Sequence, residues 1–414
     1  MEFFTVFIQK NMEEANMGVL AINGGTPIRT DVYPTWPQID DRQRALLIQT
    51  YNSGIWGIGG ERVKELTQKM NTFLGVPYGV AISNGTIALE ISLRALGIGT
   101  ADEVIVPDYT FISTASSVVM VGATPVFCDV ELKSFNISPK AIEGCITTKT
   151  KAIIVVHVGG LACDMEKICK IAKKYKLYVI EDCAHSIGAF YQGKALGTIG
   201  DIGTFSFQSS KLISCGEGGY ICTKNKDYFR KLSALSNCGR DIENNFWYKH
   251  QYVGTNARMS EFQASILTTQ IDGISELINR IRVNVGYLNR FLRTRELLWP
   301  REQEQAESNY YIYGCLYHGD KLYGIKRKLF IRALRAEGIP VSEGYISLCQ
   351  QECFSYLNTS HTACDNSLVL QLKRALWFDF SLFTGEKKGV IDIMDAIEKI
   401  ESNFLELRQL GHLQ

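Results

Sequence analysis

Four short stretches of this chain carry residues able to do chemistry. Ser83-Asn84-Gly85-Thr86 opens a segment of helical period. Backbone amides at a helix N-terminus point at an anion, glycine lets it approach closely, and a threonine hydroxyl adds a donor. The stretch therefore reads as an anion cradle or as a plain N-cap turn. Glu181-Asp182-Cys183-Ala184-His185 directly follows an apolar run. Two carboxylates and a histidine there could bind metal, act as acid and base, hold a cationic ring nitrogen, or simply be solvated. Ser206-Phe207-Gln208-Ser209-Ser210-Lys211 precedes the glycine-rich Gly216-Glu217-Gly218-Gly219. A lysine desolvated between a strand and such a turn loses basicity and becomes a nucleophile towards carbonyls; the alternative is a surface charge. Tyr109-Thr110-Phe111 after another apolar run offers an aromatic face or further core.

The elements that must position these residues form an alternating series. Short β-branched runs at residues 80–82, 104–106, 125–129, 152–156, 177–180, 203–206 and 219–223 predict strands. Between them, residues 86–96 predict a helix that stops at Gly97, and Met165, Ile168, Cys169 and Ala172 form a helical stripe behind an Asp164 N-cap. Runs buried on both faces with helices between them predict a largely parallel α/β sheet, in which ligands sit outside the carboxyl ends of the strands. A long helical pattern over residues 261–291 is expected to connect to a second domain. There an alternating strand at 310–317, a helix at 325–336 closed by Gly338 and Pro340, and a final helix at 389–407 are expected. No repeat or low-complexity tract is visible.

Composition narrows the function. The 414 residues hold 44 Lys+Arg against 43 Asp+Glu, a net charge of +1, with 46% hydrophobic and 21% charged residues. That balance leaves no electrostatic footprint for nucleic acid or an acidic membrane, and no segment approaches the ~20 apolar residues of a membrane span. The first ten residues are apolar, but Glu2 occupies the place where a signal peptide carries positive charge, so they read as an extension. The 12 cysteines are scattered without a C-x-x-C pair and the 6 histidines are dispersed. Reduced thiols and a cytoplasmic location are expected, with no metal.

Taken together, an anion cradle, an aromatic plate, an aspartate and a buried lysine, in that order, are the parts of a pyridoxal 5'-phosphate site. Phe111 would stack on the cofactor ring, and Asp182 would keep the pyridine nitrogen protonated so that the ring draws electrons. The sequence resembles the DegT/StrS-type aminotransferases, from Ala21-Ile22-Asn23-Gly24-Gly25 to Leu376-Trp377-Phe378, most specifically over residues 83–89, 107–115, 179–185, 205–219 and 254–262. The resemblance implies an aspartate-aminotransferase-like α/β fold (PLP fold type I). A large domain with a mostly parallel central sheet would span residues 21–275 behind an extension at 1–20, with a smaller C-terminal α+β domain at 276–414. It implies Lys211 as the Schiff-base lysine, Asp182 as the pyridinium partner, and His185 beside the phenolic oxygen. Asn84, Gly85, Thr86, Phe111, Ser206 and Gln208 would line the cofactor. Asn256, in the loop Gly254-Thr255-Asn256-Ala257-Arg258-Met259, would reach the phosphate of a neighbouring subunit, which implies a homodimer.

Retention of Lys211 implies amino transfer, since a dehydrating branch of the family replaces that lysine with histidine. Gln208, in place of a frequent His or Tyr, and Ser236-Asn237-Cys238-Gly239-Arg240 lean towards the cyclitol aminotransferases and aminohydroxybenzoate synthases. The expected reaction moves nitrogen from L-glutamine or L-glutamate to a keto-cyclitol or keto-sugar in secondary-metabolite biosynthesis. The alternatives are a 3-amino-5-hydroxybenzoate-synthase-like aromatising dehydratase and a nucleotide-sugar aminotransferase. A cofactor-binding regulator without turnover and a metal hydrolase have less support. Trp377-Phe378-Asp379-Phe380 stands where relatives often carry a histidine, and Asn84 where serine is common.

Overall fold

The computed structural model describes residues 18–240, 248–357 and 363–412. Most of the expected N-terminal extension, residues 1–17, lies outside them. The strands are β1 (Tyr78–Ile82), β2 (Glu103–Pro107), β3 (Thr124–Cys128), β4 (Thr150–Val156) and β5 (Tyr178–Asp182), followed by the two-residue β6 (Phe190–Tyr191) and β7 (Lys194–Ala195). Then come β8 (Ile202–Ser206), β9 (Gly219–Thr223), β10 (Leu298–Pro300), β11 (Ala306–Glu307), β12 (Ile312–Tyr317) and β13 (Ala375–Asp379). Seven of them form one sheet in the order β1-β9-β8-β5-β4-β2-β3. Only β9 opposes the rest, pairing antiparallel with both β1 and β8.

This sheet is buried on both faces, which is why its strands are continuous apolar runs rather than alternating ones. Ile153 and Val155 of β4 join one hydrophobic cluster, while Ala152 and Ile154 join the other. The expected strands all form, within two residues of their expected ends. Asp164 caps the helix Met165–Tyr175 by accepting from the Lys167 amide at 3.2 Å.

The alternation puts the two neighbouring carboxylates of β5 on opposite faces. Glu181 is fully buried and accepts from the amides of Gly197, Ile199 and Gly200 at 2.8, 2.7 and 2.6 Å. It also meets His157 Nε2 at 3.1 Å, while His157 Nδ1 accepts from the Cys163 amide at 3.0 Å. The His157 proton is therefore on Nε2 and is donated to Glu181. Burial alone would raise the Glu181 pKa, but the His157 hydrogen bond and the amides hold it below its ordinary value. His157, Glu181 and Cys183 lie close enough to share a metal. Both imidazole nitrogens are already committed, however, so this trio is a closed polar knot.

The helix Glu261–Leu292 runs for 32 residues, about 48 Å. It starts at a capping box in which Ser260 and Gln263 exchange hydrogen bonds. Leu267, Ile271, Ile274, Ile278, Ile281, Val285, Leu288 and Leu292 fall at alternating four- and three-residue steps and stay in one buried cluster throughout. The helix crosses residues 275 and 276 without a break, and the core continues into the sheet β10-β12-β13.

Three local expectations are corrected. β12 is buried at every position instead of alternating, because it is the central strand of its sheet. The helix expected from residue 325 starts at Arg327. The expected last helix is two, Lys387–Ser402 and Phe404–His412, broken at Asn403, whose side chain bonds the Lys399 carbonyl at 2.8 Å. The N-terminal arm packs on this C-terminal part. The Ala21 and Ile28 amides donate to the two oxygens of buried Glu337, which also meets Lys399 Nζ at 2.9 Å.

Replacing Glu181 with alanine strands His157 and three amides in the core. We expect a loss of about 3–5 kcal/mol in unfolding free energy, read from urea titrations at neutral pH. Because the folded-state pKa of Glu181 is depressed, its contribution is full at neutral pH. It disappears only as pH falls through that lowered value, so the gap between native and variant should close in acid.

Candidate active site

The carboxyl ends of β1, β2, β4, β5 and β8 open on one cavity of about 590 Å³. At the end of β1, Asn84 Oδ1 accepts from the Ile87 amide at 2.9 Å and caps the helix Gly85–Ala95. The amides of the first turn have no intrahelical acceptor, so cap and cradle are compatible. Thr86 Oγ1 lies 2.8 Å from Ser113 Oγ, adding hydroxyls beside the helix end. The chain closes tightly here. A Cβ on Gly85 would sit 2.8 Å from Ser206 Cβ, and one on Gly219 would sit 2.6 Å from the Asn84 carbonyl carbon. Glycine at both positions lets the ends of β1, β8 and β9 meet around the helix terminus.

Asp182 ends β5 on the cavity side. Its Oδ2 accepts from Thr114 Oγ1 and its Oδ1 from the Ala184 amide, both at 3.1 Å. Burial raises its pKa above the ordinary value, and these hydrogen bonds and the Lys211 charge oppose that rise. Three residues on, the ring of His185 stacks on Tyr311 at 4.5 Å. Its Nδ1 accepts from the Gly159 amide at 3.2 Å, and its Nε2 lies 3.4 Å from the Tyr345 hydroxyl. The neutral ring therefore carries its proton on Nε2. Burial, with the charges of Lys211 and Arg301, holds the His185 pKa well below its ordinary value.

Lys211 sits on the turn between β8 and β9, which is closed by the Phe207 amide to the Gly218 carbonyl and the Ser209 amide to the Gly216 carbonyl. Trp36 Nε1 donates to the Lys211 carbonyl at 2.8 Å, pinning the turn from the N-terminal arm. The amine stands 3.4 Å from the Tyr311 hydroxyl and 4.7 Å over that ring. Burial pushes its pKa down to about 8, against the opposing pull of Asp182. It is a cavity lysine, not a surface charge.

Asn84, Gly85, Thr86, Phe111, Asp182, His185, Ser206, Gln208 and Lys211 all line this cavity. Phe111 remains 56% exposed although it is a large apolar ring, so it stands free to cover something flat. The Gln208 amide is largely committed to its own turn, accepting from the Ser210 amide at 2.9 Å and donating to Ser209 Oγ at 3.0 Å. Asn256 is exposed and lies outside the cavity of its own chain. Thr114, Tyr311, Trp36 and Gly159 also serve the site, and none is marked by a motif in the sequence. Each reaches the site across a long sequence separation, and no local spacing signals it.

Six parallel strands with one antiparallel partner, and a lysine-bearing turn facing a helix N-terminus, define a fold type I aminotransferase architecture. The chain belongs to the DegT/DnrJ/EryC1/StrS aminotransferase family, whose description matches residues 37–381. The L-glutamine:2-deoxy-scyllo-inosose aminotransferase of Streptomyces fradiae is 34% identical over 342 residues, covering 79% of this chain and 81% of that one. GDP-perosamine synthase of Caulobacter vibrioides is 39% identical over 258 residues, covering 62% and 69%. The crystal structure of 3-amino-5-hydroxybenzoic acid synthase superposes with a TM-score of 0.82 at 28% identity, covering 90% of this chain and 100% of that one.

With a pKa near 8, Lys211 should be half neutral at that pH, whereas ordinary lysines need a pH of about 10.4. Trinitrobenzenesulfonate labelling of cofactor-free protein, followed peptide by peptide, should show Lys211 reacting with a midpoint near pH 8. Asp182→Asn removes the charge that favours protonated Lys211, so its midpoint should fall further; a midpoint that rises would contradict this coupling.

Proposed function

We propose that this chain is a pyridoxal 5'-phosphate enzyme that moves the amino group of L-glutamine, or L-glutamate, to a keto-cyclitol or keto-sugar. The observation that carries the reading is the convergence of Lys211, Asp182 and His185 around a helix N-terminal cradle in one cavity. The cradle fits a phosphate. First-turn amides of Gly85 and Thr86 and the hydroxyls of Thr86 and Ser206 surround a space that side chains at Gly85 and Gly219 would close. When bound, the cofactor supplies an electron sink for the carbon bearing the amino group. Asp182, fixed by Thr114 and the Ala184 amide, holds the proton on the ring nitrogen. With its proton on Nε2, His185 would face the phenolic oxygen of a bound cofactor, and exposed Phe111 would cover its ring. The Lys211 amine would hold the cofactor and, once released, move a proton at the donor α-carbon.

The donor and acceptor classes follow the names of the glutamine:scyllo-inosose relatives. The wall formed by Tyr311, Tyr345 and Trp377 supports them, since aromatic faces suit the C–H face of a ring polyol. The likeness to 3-amino-5-hydroxybenzoic acid synthase keeps an aromatising dehydration as the second reading. The free thiols support a reducing compartment such as the cytoplasm. A homodimer is proposed because Tyr51, Ile55, Trp56 and Ile58 expose apolar surface, and residues 57–60 share a cleft with Arg258 and Met259, beside exposed Asn256.

The purified protein with added cofactor should absorb in the visible, and L-glutamine should bleach that band. Lys211→Ala should lose the band outright. A stable band that no amino donor bleaches would sink the transfer reading, and growth of aromatic ultraviolet absorbance with an aminodehydroshikimate-type substrate would favour the second one. If Asn256 serves the neighbouring site, mixing inactive Lys211→Ala with weakened Asn256→Ala protein should restore about one native site per hybrid dimer. Strictly same-chain action predicts no rescue.

A further inference from the structure

Arg301, directly after β10, is a half-buried cation whose guanidinium hydrogen-bonds, among the described residues, to carbonyl oxygens alone. Its Nη1 donates to the carbonyls of Val158 at 2.8 Å and Ser134 at 3.2 Å, and its Nη2 donates to that of Ile312 at 3.2 Å. The Phe135 ring lies 5.1 Å from the guanidinium carbon, and the shielded Nε finds no partner among the described residues. Burial pushes its pKa down to about 10. Among the described residues no carboxylate bonds this guanidinium, so three carbonyls fix the direction of its fork.

The reason lies in what it grips. Val158 opens the turn Val158–Gly160, in which Gly159 and Gly160 both adopt positive φ, +62° and +83°. A Cβ at Gly159 would fall 2.4 Å from Arg301 Nη2, so the missing side chain makes the room that the guanidinium occupies. The same Gly159 sends its amide to His185 Nδ1 at 3.2 Å. On the other side, Ile312 begins β12, one residue after Tyr311, the ring stacked on His185. Asn309 completes the frame, donating to the His185 carbonyl at 3.0 Å and accepting from the Tyr311 amide at 3.0 Å.

We propose that Arg301 is a positioning residue for His185: by tying the Val158–Gly160 turn to β12, it aims the Gly159 amide at Nδ1. This fixes the imidazole as the neutral tautomer with its proton on Nε2. A proton on Nδ1 would face the Gly159 N–H head-on and stand close to the guanidinium charge. The groups around the ring are the cations Lys211 and Arg301, the phenols Tyr311 and Tyr345, and the carboxylate of Asp182 at the end of β5. Lys211 also disfavours a charged ring, but only Arg301 acts through the hydrogen bond that selects the tautomer. This inference rests on the proposed function only in giving His185 a cofactor to face.

The test is side-chain nitrogen NMR of full-length protein labelled with ¹⁵N-histidine and free of cofactor, the His185 signals being assigned by loss in His185→Gln. In the native protein His185 should stay neutral with its proton on Nε2 from pH 5.5 to 8. Arg301→Met should give a mixture of tautomers and raise the protonation midpoint by about one unit or more. Arg301→Lys, which keeps the charge but not the fork, should mix the tautomers with a smaller change in midpoint, and it serves alone if Arg301→Met does not fold. Native-like His185 signals in a folded Arg301 variant would overturn the proposal. A native protein that gains no visible band with pyridoxal phosphate would overturn the functional reading instead, leaving the tautomer result standing.

Discussion

Two opposite charges share one desolvated cavity, and the rest of the molecule is arranged around that. Burial acts on both in the direction that neutralises them, pushing Lys211 down and Asp182 up, and each is partly restored by the other. Neither could be tuned this way on a surface, where water would screen the pair. The parallel sheet makes the cavity possible, because it brings five strand ends and a helix N-terminus to one edge while both of its faces are covered. β9 contributes by running backwards, so that the lysine-bearing turn between β8 and β9 folds over the edge and the chain returns beside β1.

Neutral chemistry and charged chemistry are separated by a single residue step along β5. Glu181 is consumed by the core, where His157 and three amides satisfy it completely, and Asp182 keeps only the contacts that leave it available. The two histidines divide the same way. His157 donates to a carboxylate and is closed; His185 is stacked, neutral, and presents Nε2 beside the Tyr345 hydroxyl in the cavity wall. Pairs of similar side chains thus receive unlike tasks, the carboxylates from the alternation of β5 and the histidines from the turns that hold them.

Much of this was legible in the sequence for definite reasons. Strands buried on both faces leave uninterrupted β-branched runs, and residues such as Asp164 and Ser260 mark where helices start. The motifs at Gly85, Asp182 and Lys211 were visible because residue type and local order carry them. The alternating look of residues 310–317 misled because periodicity reports the residue types and not what packs against them. Thr114, Tyr311, Trp36 and Arg301 were silent, since what distinguishes each is a contact across 68, 100 and 175 residues of chain for the first three, and through another turn for the last. The final break at Asn403 depends on one side-chain hydrogen bond to a carbonyl, which no apolar pattern records.

The N-terminal arm ties the chain's beginning to its end. Ala21 and Ile28 are seated on Glu337, Glu337 on Lys399, and Tyr33 on the carbonyl of Gly389, and a few residues further on Trp36 grips the Lys211 turn. During synthesis the arm is made before the sheet, yet the surface it docks on is made well after it. The large sheet can form while the chain is still growing, but the arm has nowhere to dock until the helices beyond residue 387 have been made. The clasp that Trp36 places on the lysine turn thus waits on segments made long after both residues it joins.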